Sequence, residues 1–156
     1  MRAPSLLIVA VPPLITVYIL VMLFTMDLSL TVVQYLIIMP LAYVLGSIPW
    51  GFLLIKLTRD IDIRDYGSGN IGTSNVLRSA GGRLAALVLL LDSSKGLLII
   101  LLARALSDSA VTEALAGIAV VVGHNWSMFL SFKGGRGIAT GAGCLLIMSP
   151  IALAIG

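Results

Sequence analysis

The chain has 156 residues, of which 59% are hydrophobic and 11% charged, with a mean hydropathy of +1.10 and a formal net charge of +3. Soluble globular domains carry about 25% charged residues, so this composition excludes that class and predicts an all-α fold, a polytopic membrane helical bundle. Cys144 is the single cysteine, which excludes an intramolecular disulfide and leaves a Cys/His metal site without ligands.

Five apolar runs predict about five transmembrane segments. Residues 5–26 and 28–55 hold no charge, and each exceeds the roughly 20 residues needed to cross the hydrocarbon core as a helix. The first follows Arg2 and so resembles a signal peptide, but its apolar length exceeds a typical signal core and no small-residue cleavage site follows it. It therefore reads as a retained helix or signal anchor, an extra membrane segment over residues 1–30 ahead of one membrane domain over 31–156. Residues 84–102 are apolar apart from Asp92, Lys95 and two serines. Residues 114–132 hold only His124 as an ionisable group, and residues 137–156 hold none. No internal repeat or soluble domain is evident.

The positive charges orient these segments. Arg59, Arg64, Arg78 and Arg83 lie between the second and third, and Lys133 and Arg136 between the fourth and fifth. The other connections carry only Asp27, or Arg104 with Asp108 and Glu113. The positive-inside rule then places both basic, glycine-rich loops on the cytoplasmic face, with Arg2.

The first loop reads Gly67-Ser68-Gly69-Asn70-Ile71-Gly72-Thr73-Ser74-Asn75-Val76-Leu77-Arg78. It matches G-x-G-x-x-G literally, and Asp92 stands twenty residues after Gly72 as a ribose-binding acid would. A dinucleotide fingerprint must leave a strand, however, and here a membrane span precedes it. A P-loop fails as well, since Thr73 occupies the position that needs Lys. What survives is the physics of anion binding. Glycines let backbone N–H groups converge, Ser68, Asn70, Thr73, Ser74 and Asn75 supply neutral donors, and Arg78 supplies a planar fork. The competing reading is a solvated surface turn.

The second loop, Lys133-Gly134-Gly135-Arg136-Gly137, sets two cations around two glycines ahead of an apolar helix. A positive-inside anchor would explain the cations but does not need three glycines in four residues. His124 is the only histidine, a candidate base or a structural group bonded to a backbone carbonyl. Acyl-CoA-dependent glycerol-phosphate acyltransferases use a His followed five positions later by Asp; here that position is Phe129. Asp92 and Lys95 stand three apart, close enough on a helix for an ion pair that fastens helices or sits beside a site.

In order along the chain, Leu45-Gly46-Ser47-Ile48-Pro49-Trp50-Gly51, the first loop, Leu91-Asp92-Ser93-Ser94-Lys95-Gly96, and Gly123-His124 with Phe132-Lys133-Gly134-Gly135-Arg136-Gly137-Ile138-Ala139-Thr140 resemble the bacterial acyl-phosphate:glycerol-3-phosphate acyltransferases. The likeness covers about residues 36–156. It implies transfer of a fatty acyl group from acyl phosphate to the sn-1 hydroxyl of glycerol 3-phosphate, giving lysophosphatidic acid and phosphate in phospholipid synthesis at the cell inner (plasma) membrane.

By position, the resemblance implies catalytic roles for Ser68, Arg78 and Lys133. It implies phosphate binding by Gly67, Gly69, Asn70, Gly72, Asn75, Gly134, Gly135, Arg136 and Gly137, with Asp92, Lys95 and His124 in support. No metal, cofactor or nucleic acid is expected. Membrane lipid and the enzyme that forms acyl phosphate are the expected partners. Thr73-Ser74 stands where the family commonly has Ala-Thr, and Arg136 where it commonly has Lys; both changes keep donors or charge. Family members tend to begin near the Gly-Ser-Ile-Pro helix and continue through further spans and a third cytoplasmic region with His, Asn and Glu. This chain ends inside an apparent span at Gly156, which predicts a fragment or a shortened homologue.

The rival from another class is a transporter or channel for a small anion, for which Pro40, Gly46, Pro49 and Gly51 would mark interrupted helices. A noncatalytic scaffold would explain the spans but not the paired loops.

Overall fold

The computed structural model describes residues 30–155; the predicted first membrane segment lies outside them. The chain divides after Gln34. Of the first unit the described residues include only the opening turn of α1, and the second, from Tyr35 onward, carries the remaining elements.

The elements are helices α1 (Leu30–Ser47), α2 (Trp50–Arg59), α3 (Thr73–Ala80), α4 (Gly82–Leu106), α5 (Ala110–Asn125), α6 (Ile138–Met148) and α7 (Pro150–Ile155), with short 3-10 turns at Ile63–Asp65 and Met128–Leu130. No strand occurs among the described residues, so the literal dinucleotide fingerprint has no strand to leave. Among the described residues, three stretches are long and apolar enough to cross a membrane: Gln34–Arg59, Gly82–Leu106 and Ala110–Leu130.

Two predicted spans are interrupted, each at a proline. The second breaks between α1 and α2 at Ile48 and Pro49, because the residue before a proline is driven out of the helical region and the proline itself lacks an N–H. The predicted span over 137–156 breaks in the same way at Ser149, whose ψ of 82° precedes Pro150. This leaves α6 with 11 residues, too few to cross alone.

α4 is the central element, packing against α2, α3, α5 and α6. Its 25 residues extend about 37 Å, longer than the hydrocarbon core. It crosses α6 with the backbones in near contact: a Cβ at Gly96 would lie 2.1 Å from Thr140 O, and one at Gly143 would lie 1.9 Å from Ser93 O. α1 and α5 meet the same way through Gly46 and Gly123. Close approach through small residues is how helices gain contact in lipid, where burial from water contributes little between spans.

Two apolar clusters follow. One joins α1, α4, α5 and α6 through Ile38, Ile99, Ile100, Val120 and Cys144. The other lies under the first glycine loop, where Ile55, Ile63, Ile71, Val76 and Val88 seat α3 on α2 and α4. The second cluster holds the loop against the bundle.

A candidate anion cavity between two glycine loops

The first loop is built around one side chain. Asn75, on α3 and 1% exposed, turns its Nδ2 to the carbonyls of Ile63, Tyr66 and Asn70 at 3.2, 2.9 and 2.8 Å. Its Oδ1 accepts from Ser68 N at 3.0 Å. Gly67 and Gly69 have φ of 58° and 69°, in the left-handed region, and a Cβ at Gly67 would lie 2.2 Å from Asn75 Oδ1. Asn70 closes an Asx turn by accepting from Gly72 N at 2.9 Å.

Asn75 therefore shapes the loop, with its polar atoms engaged by the protein. Asn75→Ala would strand several of these groups at once, at about 1–3 kcal/mol for each that stays buried. The expected result is a drop in unfolding temperature in detergent of many degrees; an unchanged temperature would contradict this construction of the loop.

The cations around the loop are not equivalent. Arg59 donates to Ala80 O at 2.7 Å. Arg64 grips Asp62 at 2.6–3.1 Å and lies 5.1 Å over the Phe52 ring. Arg78 is exposed and reaches Ser68 Oγ only at 3.5 Å, leaving its fork open to a ligand.

Hydrogen bonding from the Arg64 side chain holds the Asp62 carboxyl below the ordinary carboxylate range. A depressed acid stabilises the fold above its unfolded value of about 3.9, and this contribution is lost as pH falls through the folded value. The pair is partly exposed, so the effect is small. The stability difference between wild type and Asp62→Asn, measured by denaturation, should shrink as the pH is lowered from 6 to about 3. A difference that grows toward low pH would contradict the assignment.

The second loop leaves the 3-10 turn through Ser131 and Phe132, both at positive φ (53° and 62°), and then folds back on the end of α5. Gly134 N donates to Asn125 O and Gly135 N to His124 O, each at 3.0 Å. Side chains are excluded there. A Cβ at Gly134 would lie 1.9 Å from His124 O, and one at Gly135 would lie 2.1 Å from His124 Nε2. Gly137, at φ 73°, caps α6.

Between the loops lies a cavity of about 300 Å³. Ser68, Asn70, Gly72, Asn75 and Arg78 reach it from the first loop and α3, Arg136 and Gly137 from the second, and Asp92 and His124 from α4 and α5. The buried Thr73 Oγ1, also on its wall, has no hydrogen-bond partner among the described residues. Leu89, Ile138, Ala139 and Ala142 add an apolar side.

Nine of the fifteen residues to which the resemblance gives roles thus meet at one cavity, with the donors Thr73 and Ser74 beside them. Gly67 and Gly69 shape the first loop, and Gly134 and Gly135 pack on the α5 terminus. Lys95 lies behind Asp92 and His124, and Lys133 is exposed; none of these six lines the cavity. The apolar wall was missed by sequence reading. Its signal is the spacing of Ile138 and Ala142 on one face of α6, directly after the loop.

Behind the cavity is a buried polar cluster. Asp92, Lys95 and His124 are 2%, 1% and 4% exposed. The predicted Asp92–Lys95 ion pair is present at 2.9 Å.

Apolar spans and backbone-to-backbone helix crossings define the class: an integral, multi-pass helical membrane protein. Residues 36–156 match the family model described as glycerol-3-phosphate acyltransferase, and the chain belongs to that family. It is 48% identical over 117 residues to glycerol-3-phosphate acyltransferase 4 of Dehalococcoides mccartyi strain CBDB1, covering 75% of this chain and 50% of that protein. It is 50% identical over 120 residues to the glycerol-3-phosphate acyltransferase of Thermoanaerobacter pseudethanolicus, covering 74% and 60%.

Among solved structures it resembles PlsY (YgiH), an integral membrane glycerol 3-phosphate acyltransferase. The match to the glycerol 3-phosphate form has a TM-score of 0.71 at 39% identity, covering 77% of this chain and 60% of that one. The lysophosphatidic acid form gives 0.68 at 38%, covering 77% and 59%. The chain thus spans about half to three-fifths of the length of these relatives.

Proposed function

We propose that this chain carries the anion-handling part of an enzyme that transfers a fatty acyl group from acyl phosphate to the sn-1 hydroxyl of glycerol 3-phosphate. The products are lysophosphatidic acid and phosphate. The observation that carries the reading is the convergence of Arg78 and Ser68 from one glycine loop with Arg136 from the other on a single cavity, one side of which is apolar. Two phosphate-bearing substrates need cations and donors, and an acyl chain needs an apolar exit.

Acyl phosphate is already activated, so the protein's work is positioning and charge stabilisation. The glycerol hydroxyl oxygen attacks the acyl carbon, an ester C–O bond forms, and the bond to the phosphate oxygen breaks. The leaving phosphate carries off the electron pair, and the hydroxyl proton passes to phosphate or water. Arg78 and Arg136 neutralise phosphate, while Ser68 and the loop N–H groups orient its oxygens. Lys133, exposed on the same loop, adds to the positive field at the mouth. No covalent acyl-serine is required.

The basic loops face the cytoplasm in this reading, and the membrane is the cell inner membrane. There the chain would meet lipid and the enzyme that makes acyl phosphate.

Full-length protein in liposomes, supplied with acyl phosphate and glycerol 3-phosphate, tests the proposal. Formation of lysophosphatidic acid with stoichiometric phosphate is expected. Glycerol 3-phosphate or phosphate flux without turnover would overturn it in favour of transport.

A further inference from the structure

The ammonium of Lys95, midway along α4, has more neighbours than protons. Gly46 O and Ile48 O each lie at 3.0 Å, His124 Nδ1 at 3.1 Å and Asp92 Oδ1 at 2.9 Å. The two carbonyls belong to the break between α1 and α2, where Trp50 N donates to Ile48 O at 3.2 Å and so leaves Gly46 O without the donor an unbroken helix would supply. Asp92 Oδ1, at 2.9 Å, is both the counter-charge and a further acceptor for the same ammonium. The three N–H bonds are therefore shared among the two carbonyls, the carboxylate and the imidazole, and toward Nδ1 an ammonium, which has no lone pair, can only donate.

A ring nitrogen that accepts from an ammonium carries no proton, so the imidazole proton resides on Nε2. Asp92 Oδ1 is 3.6 Å from Nδ1, beyond hydrogen-bond reach, and does not compete for a proton there. Thr140 Oγ1, at 3.3 Å from Nδ1, is a second donor of the right kind. The opposite edge of the ring, Nε2, abuts Gly135 and has no hydrogen-bond partner among the described residues.

We propose that Lys95 is a positioning residue: it ties the α1–α2 break to His124 and fixes that ring as the Nε2–H tautomer, presenting a neutral N–H to a phosphate group at the second glycine loop. The last clause rests on the functional reading above. The tautomer and the tie to the break do not.

In ring 15N-labelled full-length protein, the pair of signals lost in His124→Gln is that of His124. In phosphate-free maltoside micelles the wild type should show a protonated Nε2 and a bare Nδ1. Lys95→Met should shift both signals toward a mixture of tautomers, whereas Lys95→Arg and Thr140→Val should keep the wild-type pattern.

A protonated Nδ1 in the wild type overturns the proposal without any variant, should Lys95→Met fail to fold. So does an unchanged tautomer in folded Lys95→Met, or a switch in Thr140→Val, which would make Thr140 the determinant. Titration with inorganic phosphate should then move the Nε2 signal and leave Nδ1 nearly still. An unmoved Nε2 overturns the phosphate contact. Acyl transfer is read in neither arm, so a protein that moved solutes instead would fail the liposome assay and still report the tautomer.

Discussion

Gly134→Ala is expected to reduce acyl transfer by about a hundred-fold or more, because displacement of a positioned group by about 1 Å suffices for such a loss. The added Cβ would lie 1.9 Å from His124 O and 2.9 Å from Asn125 O, both backbone atoms of the α5 terminus that cannot rotate aside. The loop must move off α5, breaking the two hydrogen bonds that Gly134 N and Gly135 N make at 3.0 Å. It carries Arg136 and Gly137 away from the cavity as it does so. Overpacking of this kind also costs about 1–3 kcal/mol of stability.

Gly82→Ala is the matched control. Gly82 opens α4, and its Cβ would meet only Leu77 Cδ1 at 4.0 Å, so the substitution should be neutral or stabilise by about 0.5–1 kcal/mol. Lysophosphatidic acid formation and thermal unfolding, followed together in both variants, check the pair. Wild-type rates in Gly134→Ala would mean that the loop is not held against α5 as described.

The second large effect is at Arg78. Its neighbours Arg59 and Arg64 are held by protein groups, whereas Arg78 lines the cavity with little to hold it. Arg78→Ala should lower kcat/KM by about 10²–10³, as loss of one electrostatic donor does elsewhere, with an unfolding temperature close to wild type. Arg78→Lys should restore the rate only in part, since an ammonium keeps the charge but lacks the planar fork. Ser68→Ala should cost about ten- to a hundred-fold, in line with the loss of one hydrogen bond to a charged group. A folded Arg78→Ala enzyme with near-normal kcat/KM would remove Arg78 from the site.

Much of this arrangement is legible in the residues. The membrane class follows from the lack of charge, and the helix-compatible spacing of Asp92 and Lys95 anticipates their ion pair. The glycine loops advertise an anion site by combining residues that apolar spans rarely carry. Pro49 is visible as an interruption and suits the transport reading equally well; what the residues do not reveal is that the break frees Gly46 O, which Lys95, 49 residues later, satisfies.

Such partnerships are set by helix packing and leave no local pattern. The same limit explains the second loop. Nothing in Lys133-Gly134-Gly135-Arg136 tells which cation faces inward, because the turn depends on positive φ at Ser131 and Phe132, residues with no intrinsic preference for it. In the sequence Asn75 looks like a ligand, because an amide beside glycines suits phosphate as well as it suits carbonyls. Only the distances to Ile63, Tyr66 and Asn70 distinguish the two uses.

The central claim is that the two loops form one site. A double-mutant cycle of Arg78→Ala and Arg136→Ala, read as kcat/KM for glycerol 3-phosphate in the full-length enzyme, addresses it directly. Residues acting on one bound anion couple by about 0.5–3 kcal/mol, so the double variant should differ from the product of the single effects by a factor of two or more. Single effects that multiply within error would place the two arginines at separate, independent sites and contradict the account.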